Sequence, residues 1–488
     1  MKRTLSLFLA AASLLVGQAF QPVLFTFLCS AHAAASTRPR YGGTLRVELS
    51  ARVASLDPAE KPAEGPEATA KTRLLGLAFD PLVRLDENGL PRPALAIAWK
   101  SDAGSKRWEL RLRPGVKFHD GTPLAPTDVV DALSKWRESW RVSSSGDSVV
   151  ILCDEARPNL LFELSLVFIS RRTADGAIVG TGAFRVASWQ PGARAVFSAN
   201  EDHWEGRPYV DSIEIEMGRP LRDQQLDFEL GKTDLIELAP DQLRRLAQSG
   251  KKTWSSAPVQ FYGLSISSAR IESTTAFRDA LSLAIDRAAI HNVLLQKQGE
   301  IAGGCLPQWL SGYSFLFPSE RNLEEARKAR GKLPAVLPAL TLVYDTADPM
   351  ARSIAERVAL NAREIGVTLQ VKPQNGMEKD AHPDVELFRR HIGVPNPALA
   401  MDFVCPSAHW GYGALKPEET QQMYKLELDS REQAPFRVPL FYLPESLAIS
   451  ARVKNWMPYR WGEWRLADVW LAPDESAAPQ TPKSPEKP

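Results

Sequence analysis

The stretch "LTLVYDTADPMARSIAERVALNAREIGVTLQVKP", residues 340–373, contains the pattern that decides the fold class. Its first part alternates Leu340, Leu342 and Tyr344, as a strand with one buried face does, and its last part, "VTLQVKP", also has strand character. The segment between them, residues 348–366, predicts a helix. A strand–helix–strand unit normally makes two parallel strands joined by a right-handed crossover. The sequence therefore predicts an α/β fold.

Strand patterns dominate the first half of the chain and helical patterns the second half. "YGGTLRVELS", residues 41–50, predicts a half-buried strand, and residues 180–204 predict a hairpin whose turn is Pro191-Gly192. Residues 277–295, "FRDALSLAIDRAAIHNVLL", carry the apolar stripe of an amphipathic helix. This mixture agrees with an α/β protein.

The composition is that of an ordinary globular protein. The chain has 488 residues, of which 24% are charged, and its formal net charge is +1. Such a balance provides no overall field that would attract nucleic acid or an anionic membrane surface. We therefore expect no nucleic-acid partner.

The N-terminus has the pattern of an export signal. Two basic residues precede a long apolar run, residues 5–28, and small residues follow it. Cleavage after Ala33 or Ala35 fits the small-x-small rule, so residues 1–35 are predicted to be a signal peptide. The run is also long enough to serve as an uncleaved membrane anchor, and this alternative stays open.

No motif in the chain indicates catalysis, a metal or a cofactor. Cys153, Cys305 and Cys405 are widely spaced, so the sequence does not settle whether two of them form a disulfide. There is no HExxH, GxSxG or phosphate-binding loop. "GTGAFR" begins like a dinucleotide fingerprint, but Arg185 replaces its last glycine and a strand follows it. We predict no catalytic residue, no metal ligand and no cofactor, and hence no enzyme.

The polar stretch "VKFHDGTPLAPTDVVDAL", residues 116–133, is interpreted as a structural corner. Asp120-Gly121-Thr122-Pro123 has turn chemistry. We expect Thr127 to cap a helix whose first residue is Asp128. His119 is predicted to be structural rather than a metal ligand.

Several stretches together resemble the extracytoplasmic solute-binding proteins of ABC importers, of the oligopeptide/dipeptide/nickel type known as family 5. They occur in the family's order between residues 41 and 455. The stretches are "YGGTLRVELSARVASLDPAE", "LVRLDENGLPRPALAIAWKSD", "WELRLRPGVKFHDGTPLAPTDVVDAL", "GTGAFRVASWQPG", "ANEDHWEGRPYVDSIEIEM", "FRDALSLAIDRAAI" and "VPLFYLPESLAISARVKN".

The resemblance implies a two-lobed fold of the type II periplasmic-binding-protein kind, with an extra α+β subdomain on the first lobe. Crossing strands would join the lobes, and the solute would lie between them. The expected division is 41–75 for the first segment of lobe 1, 76–180 for the subdomain, 181–255 for the second segment of lobe 1, 256–435 for lobe 2, 436–472 for the return segment of lobe 1, and 473–488 for a disordered tail.

The function implied is that of an exported solute receptor. It would enclose a short peptide, or a peptide-like or anionic compound, and deliver it to the membrane subunits of an ABC permease. We expect a monomer located in the periplasm or outside the cell. The alternative is a sensor or interaction protein on the same scaffold, because the regions 140–180 and 412–438 are shorter than in typical members.

One departure from the family bears on the ligand. Peptide-binding members carry an aspartate for the peptide ammonium a few residues before an acidic-Pro pair. In "DVELFRRHIGVPNPALAMDF" the corresponding positions hold Gly393 and Asn396. The usual counter-charge is thus missing, while Arg389, Arg390 and His391 nearby favour an anionic group unless the arginines face solvent.

The predicted ligand-contacting residues combine this stretch with aromatic side chains. Each aromatic residue has packing in the core as its alternative role, and Trp461 is a weaker candidate. The predicted set is Phe261, Tyr262, Arg390, His391, Asn396, Trp410 and Tyr412.

Overall fold

The computed structural model describes residues 38–60, 65–267, 270–271, 274–312, 318–374, 382–404, 427–428, 437–456 and 458–473. The predictions for the signal peptide, Cys405, Trp410, Tyr412 and residues 474–488 lie outside this part of the chain. None of the helices in the described part is long and apolar enough to cross a membrane.

The described residues form β-strands interspersed with α-helices. The strands are β1 (Thr44–Glu48), β2 (Val83–Leu85), β3 (Pro91–Pro93), β4 (Ala96–Ser101), β5 (Arg107–Leu112), β6 (Trp140–Ser145), β7 (Ser148–Cys153), β8 (Arg171–Arg172), β9 (Ile178–Val179), β10 (Phe184–Gln190), β11 (Arg194–Ala199), β12 (Ser212–Glu216), β13 (Leu235–Glu237), β14 (Thr253–Ile266), β15 (Glu300–Ile301), β16 (Leu340–Tyr344), β17 (Leu369–Pro373), β18 (Val385–His391), β19 (Arg437–Ile449), β20 (Val453–Lys454) and β21 (Trp470–Leu471). The helices are α1 (Pro66–Ala78), α2 (Pro126–Trp136), α3 (Leu160–Leu164), α4 (Leu221–Glu229), α5 (Pro240–Gln248), α6 (Thr274–Ala284), α7 (Arg287–Val293), α8 (Gln308–Ser311), α9 (Leu323–Arg330), α10 (Ala351–Arg363) and α11 (Pro397–Val404).

One large mixed sheet runs through the molecule. Its order is β10-β11-β12-β1-β13-β19-β14-β18-β16-β17, and β15 adds to β19 as an eleventh strand. Strands β16 and β17 are parallel, with Leu342 opposite Val371, and α10 connects them. The strand–helix–strand prediction for residues 340–373 is confirmed, and so is the α/β fold class.

Two hydrophobic cores lie on the two ends of this sheet and define the lobes. The first-lobe core gathers apolar residues of β1, β11 and β12, such as Val47, Phe197 and Ile213, with the buried face of α1. The second-lobe core joins β16 and β18 to α6, α9 and α10 through residues such as Phe277 and Leu342. Each core is apolar because the helices and strands that form it present one face inward.

Strands β14 and β19 belong to both lobes. They pair with each other from Thr253–Ala448 at the first-lobe end to Ser265–Arg437 at the second-lobe end. Between these ends Pro258 lies opposite Pro444, and the register shifts on both sides of this pair. Because proline has no N–H to donate, the ladder is weakest where the strands pass from one lobe to the other.

A separate sheet of order β4-β5-β7-β6 forms the core of a third body with α2 and α3. Its buried residues run from Leu82 to Ile169, inside the segment 76–180 that the sequence assigned to a subdomain. The segment boundaries themselves stay predictions.

The hairpin prediction is confirmed. Strands β10 and β11 are antiparallel around the turn at Pro191-Gly192.

The prediction for the corner at residues 116–133 needs one correction. Helix α2 begins at Pro126, so Thr127 does not cap it. Asp128 lies in the first turn, and its Oδ2 accepts a hydrogen bond of 2.8 Å from the backbone N–H of Ala125. The side chain that satisfies this helix end is thus three residues after the cap, as in a capping box.

His119 has a structural position in this corner. Its Nε2 lies 3.0 Å from the carbonyl oxygen of Gly182, and its backbone N–H donates to the carbonyl of Gly180 at 2.9 Å. The neighbouring Asp120 pairs with Arg171 at 2.5 Å. These contacts tie the corner to the loop that precedes β10.

Candidate functional site

A cleft lies where the lobes and the subdomain meet, and α1 runs along it. Two of its cavities, both lined by residues of the described part of the chain, are called the hinge cavity and the aromatic pocket. The hinge cavity has a volume of about 850 Å³ and is lined by the start of α1, residues 218–221, residues 345–349 and Tyr262. The aromatic pocket has a volume of about 370 Å³ and is lined by α1, the chain just beyond it, the end of β18 and residues 461–464. Both volumes fall in or near the range of small-molecule sites.

Helix α1 positions side chains on one face toward the cleft. Pro66, Thr69, Ala70 and Arg73 recur at spacings of three and four residues, and all four line the cleft. Pro66 is the first helical residue, where its missing N–H costs nothing. The helix therefore begins at the hinge cavity and carries Arg73 toward the aromatic pocket.

Arg73 forms a buried ion pair with Glu445 of the crossing strand β19. The other carboxylate oxygen of Glu445 accepts a hydrogen bond of 2.6 Å from Gln260 Nε2 on β14. The Arg73 guanidinium also lies over the ring of Trp464, 4.5 Å from its centroid. Gly462 is required beside this pair, because a Cβ there would lie 2.5 Å from Glu445 Oε2 and its φ is +88°.

His391 at the end of β18 joins the same network from the second lobe. Its Nδ1 lies 3.6 Å from Glu445 Oε1. Burial lowers the pKa of His391 to about 4, with Arg73 and Arg389 adding to the effect and Glu445 opposing it. His391 is therefore neutral at neutral pH. Burial would raise the pKa of Glu445, but Arg73 and His391 hold it below its ordinary value.

A second buried group lies at the hinge cavity. Arg389 Nε is 3.5 Å from Asp348 Oδ2, and Arg389 Nη1 donates to Tyr262 Oη at 3.4 Å. Burial, followed by the charge of Asp348, raises the pKa of Tyr262. The phenol is therefore a neutral hydrogen-bonding group on the wall of the cleft.

Asp80 anchors the subdomain side of the aromatic pocket. It accepts hydrogen bonds from Arg84 Nη2 at 2.5 Å, Trp204 Nε1 at 2.8 Å and Thr181 Oγ1 at 2.9 Å. Burial would raise the pKa of Asp80, but Arg84 and the other donors keep it well below its ordinary value. Asp80 is thus a satisfied carboxylate that holds the pocket wall in place.

The structure brings three of the predicted ligand-contacting residues to the cleft. Tyr262 lines the hinge cavity, and Arg390 and His391 line the aromatic pocket. Their contact with a solute stays a prediction. Trp461, the weaker candidate, also lines the aromatic pocket.

Two predicted residues lie elsewhere. Phe261 is 0% exposed, and its ring stacks on Tyr442 with centroids 4.8 Å apart, so it supports the sheet from the core side. Asn396 makes a structural contact: its Nδ2 donates to Asn159 Oδ1 at 3.1 Å, and its Oδ1 accepts from the N–H of Leu399 at 3.1 Å. Trp410 and Tyr412 lie outside the described residues.

Sequence reasoning missed several residues of the cleft. Arg73, Asp348, Glu445 and Glu463 carried no local signal, because none of them belongs to a motif with recognisable chemistry. Asp348 in "YDTADP" and Glu445 in "LPESL" could have been suspected only from knowledge of which strands cross.

The described residues contain no group of three or more His, Cys, Asp or Glu side chains that could hold a metal ion. Cys153 and Cys305 are both buried, while Cys405 lies outside the described residues. The cleft therefore offers polar and aromatic contacts rather than a visible metal cage in this part of the chain.

The sequence model for "Bacterial extracellular solute-binding proteins, family 5 Middle" matches residues 91–149 and 158–412. This is more than half of the chain. The chain belongs to family 5 of the bacterial extracellular solute-binding proteins.

Curated relatives of this family 5 protein are distant in sequence. The chain is 22% identical over 315 residues to the probable D,D-dipeptide-binding periplasmic protein DdpA of Escherichia coli (strain K12), a match that covers 57% of this chain and 60% of that protein. It is 23% identical over 342 residues to the nickel-binding periplasmic protein of the same strain, covering 60% of this chain and 65% of that protein. The matched stretch spans less than two thirds of the length of either relative.

Solved structures share the fold over nearly the whole chain. The oligopeptide-binding protein AppA from Bacillus subtilis in complex with a nonapeptide superposes with a TM-score of 0.76 at 16% identity, covering 89% of this chain and 100% of that one. The periplasmic binding protein DppA from Helicobacter pylori in complex with the peptide STSA gives a TM-score of 0.76 at 17% identity, covering 89% and 99%. These likenesses show that the family 5 protein has the two-lobed type II fold.

Proposed function

We propose that this family 5 protein is an extracytoplasmic receptor that encloses a small solute between its lobes and delivers it to an ABC permease. The observation that carries the proposal is the aromatic pocket, a cavity of about 370 Å³ whose walls come from both lobes and the subdomain. Sites of this size accept small molecules and bury most of their surface. The solute class that fits is a short peptide or a peptide-like or anionic compound.

The crossing strands support a hinge. The Pro258–Pro444 pair and the register shifts beside it weaken the ladder where β14 and β19 leave the first lobe. A solute that contacts residues of both lobes favours the closed form by its differential affinity. The closed form is then the state that a permease can distinguish from the empty receptor.

The proposal includes a location and an assembly state. The N-terminal export pattern and the family support a location in the periplasm or outside the cell, and the proposal includes either cleavage near Ala33 or Ala35 or retention by an uncleaved anchor. The proposed assembly state is a monomer. The absence of a catalytic motif in the sequence supports a binding protein rather than an enzyme.

Native mass spectrometry of the full chain, purified from cells without denaturation, tests the proposal. We expect a discrete additional mass that is lost on unfolding. We also expect the identified solute, at 100-fold above its Kd, to stabilise the protein by about 2.7 kcal/mol.

A protein without added mass, which is not stabilised by peptide mixtures, sugars or metal ions, would contradict the receptor. That result would favour the alternative of a sensor or interaction protein on the same scaffold. A co-purifying protein partner in place of a small solute would support that alternative directly.

A further inference from the structure

Glu463 is an acidic residue of the aromatic pocket that has no ionic partner among the described residues. It is half-buried in the return segment between Trp461 and Trp464, and it lines the pocket. It forms no ion pair with any residue in the described part of the chain. Asp80, by contrast, lines the same pocket and pairs with Arg84 at 2.5 Å.

The positive charges around the pocket are largely committed to other acids. Arg73 pairs with Glu445. Arg84 pairs with Asp80 and with Glu205, and the nitrogen–oxygen distance is 2.5 Å in each pair. Burial raises the pKa of the Glu463 carboxyl, and the charge of Arg84, a hydrogen bond from the Trp461 side chain and the charge of Arg465 offset this only in part. The carboxylate therefore gains most from a cation brought by a ligand.

Aromatic rings surround this carboxylate. Phe79, Phe168, Trp461 and Trp464 all line the same pocket. The face of an indole or phenyl ring attracts an ammonium group, and the attraction grows when water is excluded. An acidic side chain among aromatic rings is a suitable site for an organic cation.

The position of Glu463 also answers a question raised by the sequence. Gly393, which stands about where an acidic residue would be expected, lines the same pocket and offers no charge. Glu463 comes from a segment 70 positions further along the chain, yet it reaches the same cavity. The aromatic pocket therefore contains a carboxylate from the return segment rather than from the chain after β18.

We propose that Glu463 binds the ammonium group of the solute in the aromatic pocket, which makes small amines with an apolar body, including short peptides with a free amino terminus, the solute class. This inference rests on the proposed receptor function. Arg390 also lines this pocket. An ammonium buried without Glu463 would lose its counter-charge, which is strongly unfavourable.

The test compares two defined mixtures in binding to the full-length protein. One is a mixture of free dipeptides, and the other is the same mixture acetylated at the amino group. Wild type and Glu463→Gln are incubated with each mixture and examined by native mass spectrometry, and Kd values are then measured by calorimetry for retained members. We expect wild type to retain free dipeptides and to discriminate against the acetylated ones by at least about 30-fold, as removal of one partner of a buried charge pair predicts.

In the Glu463→Gln variant, the affinity for free dipeptides should fall by the same factor. The variant should then bind free and acetylated dipeptides equally well. Glu463→Asp, which keeps the charge, should restore part of the discrimination. Glu356→Gln on the exposed face of α10 is the matched control and should behave as wild type. Thermal unfolding of each variant establishes that it is folded.

The outcomes separate this inference from the receptor function. Equal binding of acetylated and free dipeptides, wild-type affinity in Glu463→Gln, or a co-purified solute without an amine would overturn the ammonium site and leave the receptor standing. If wild type binds neither mixture and carries no co-purified solute, both the ammonium site and the receptor function are overturned.

Discussion

At the scale of single residues, the pair His391 and Glu445 links the stability of the protein to pH. His391 stays neutral in the folded protein down to a pKa of about 4, whereas its ordinary pKa is 6.5. Between these values the unfolded chain binds more protons than the folded one, so folding stability falls as the pH falls from 6.5 toward 4. The full contribution of His391, present above pH 6.5, is about 3 kcal/mol.

We predict that His391→Gln removes this part of the pH dependence. Urea unfolding gives the free energy of unfolding at pH 7 and at pH 5. The decrease between the two pH values should be about 2 kcal/mol larger in wild type than in the variant. His382→Gln, at an exposed position before β18, is the control and should keep the wild-type loss. Equal losses in wild type and His391→Gln would contradict the prediction.

Phe261 and Tyr262 show how the two faces of a strand separate neighbouring residues. Phe261 and Tyr262 are neighbours on β14, and successive residues of a strand point to opposite faces. Tyr262 therefore reaches the hinge cavity while Phe261 packs against Tyr442 in the core. The sequence predicts that such a pair lies near a site, but the orientation of the strand in the sheet determines which of the two residues faces the cavity.

At the scale of elements, the loop before β10 fixes the position of α1. The backbone N–H of Gly182 donates to the carbonyl of Ala78 at 3.0 Å, at the end of the helix. A Cβ at Gly182 would lie 2.5 Å from the carbonyl carbon of Ala78 and 2.7 Å from the carbonyl oxygen of Leu77. The glycine is thus needed for close backbone approach, and "GTG" in this chain packs a helix rather than binding a nucleotide.

Gly182→Ala should push the C-terminal end of α1 away from the loop. We expect a loss of about 1–3 kcal/mol in unfolding free energy, as is typical of overpacking, and a weaker affinity for the solute because α1 carries Arg73. Chemical unfolding and calorimetry measure the two effects. Gly104→Ala is the control, because the nearest atoms to its Cβ would be 3.9 Å away, and it should change neither quantity. A fully stable Gly182→Ala variant would show that the loop can move without cost.

At the scale of the whole molecule, the subdomain and the second lobe meet across the cleft. Asn396, which precedes α11, donates to Asn159 of the subdomain at 3.1 Å, and both residues are buried. Beside this contact, a Cβ at Gly89 of the subdomain would lie 2.3 Å from Pro395 Cγ. In the proposed hinge closure these contacts belong to the closed form, so we expect them to contribute to the free energy of closure.

Asn396→Ala is predicted to weaken solute binding without removing a ligand contact. Loss of a buried hydrogen bond costs about 1–3 kcal/mol, which corresponds to a roughly 5- to 150-fold higher Kd. The change should lie in a faster dissociation rate, since closure holds the solute in place. Stopped-flow measurements and calorimetry test this, with Asn292→Ala on the exposed side of α7 as control. An unchanged dissociation rate would indicate that this contact does not govern closure.

The sequence by itself determined the fold class and the order of the main elements. Alternation at Leu340, Leu342 and Tyr344 and the helix that follows depend on local periodicity, and the structure confirms both. The hairpin at Pro191-Gly192 is equally local, because turn chemistry acts over a few residues. The resemblance to family 5, which rests on ordered stretches, added the two lobes.

Only the tertiary structure decided which residues form the site. Arg73 and Glu445 are 372 positions apart, and Glu463 reaches the cavity beside Gly393 from the return segment. Periodicity reports the buried face of each element, but not which polar residues of distant elements meet. Crossing strands, a helix held by Gly182 and the contact between Asn396 and Asn159 bring them together, and the chemistry of the cleft follows from that packing.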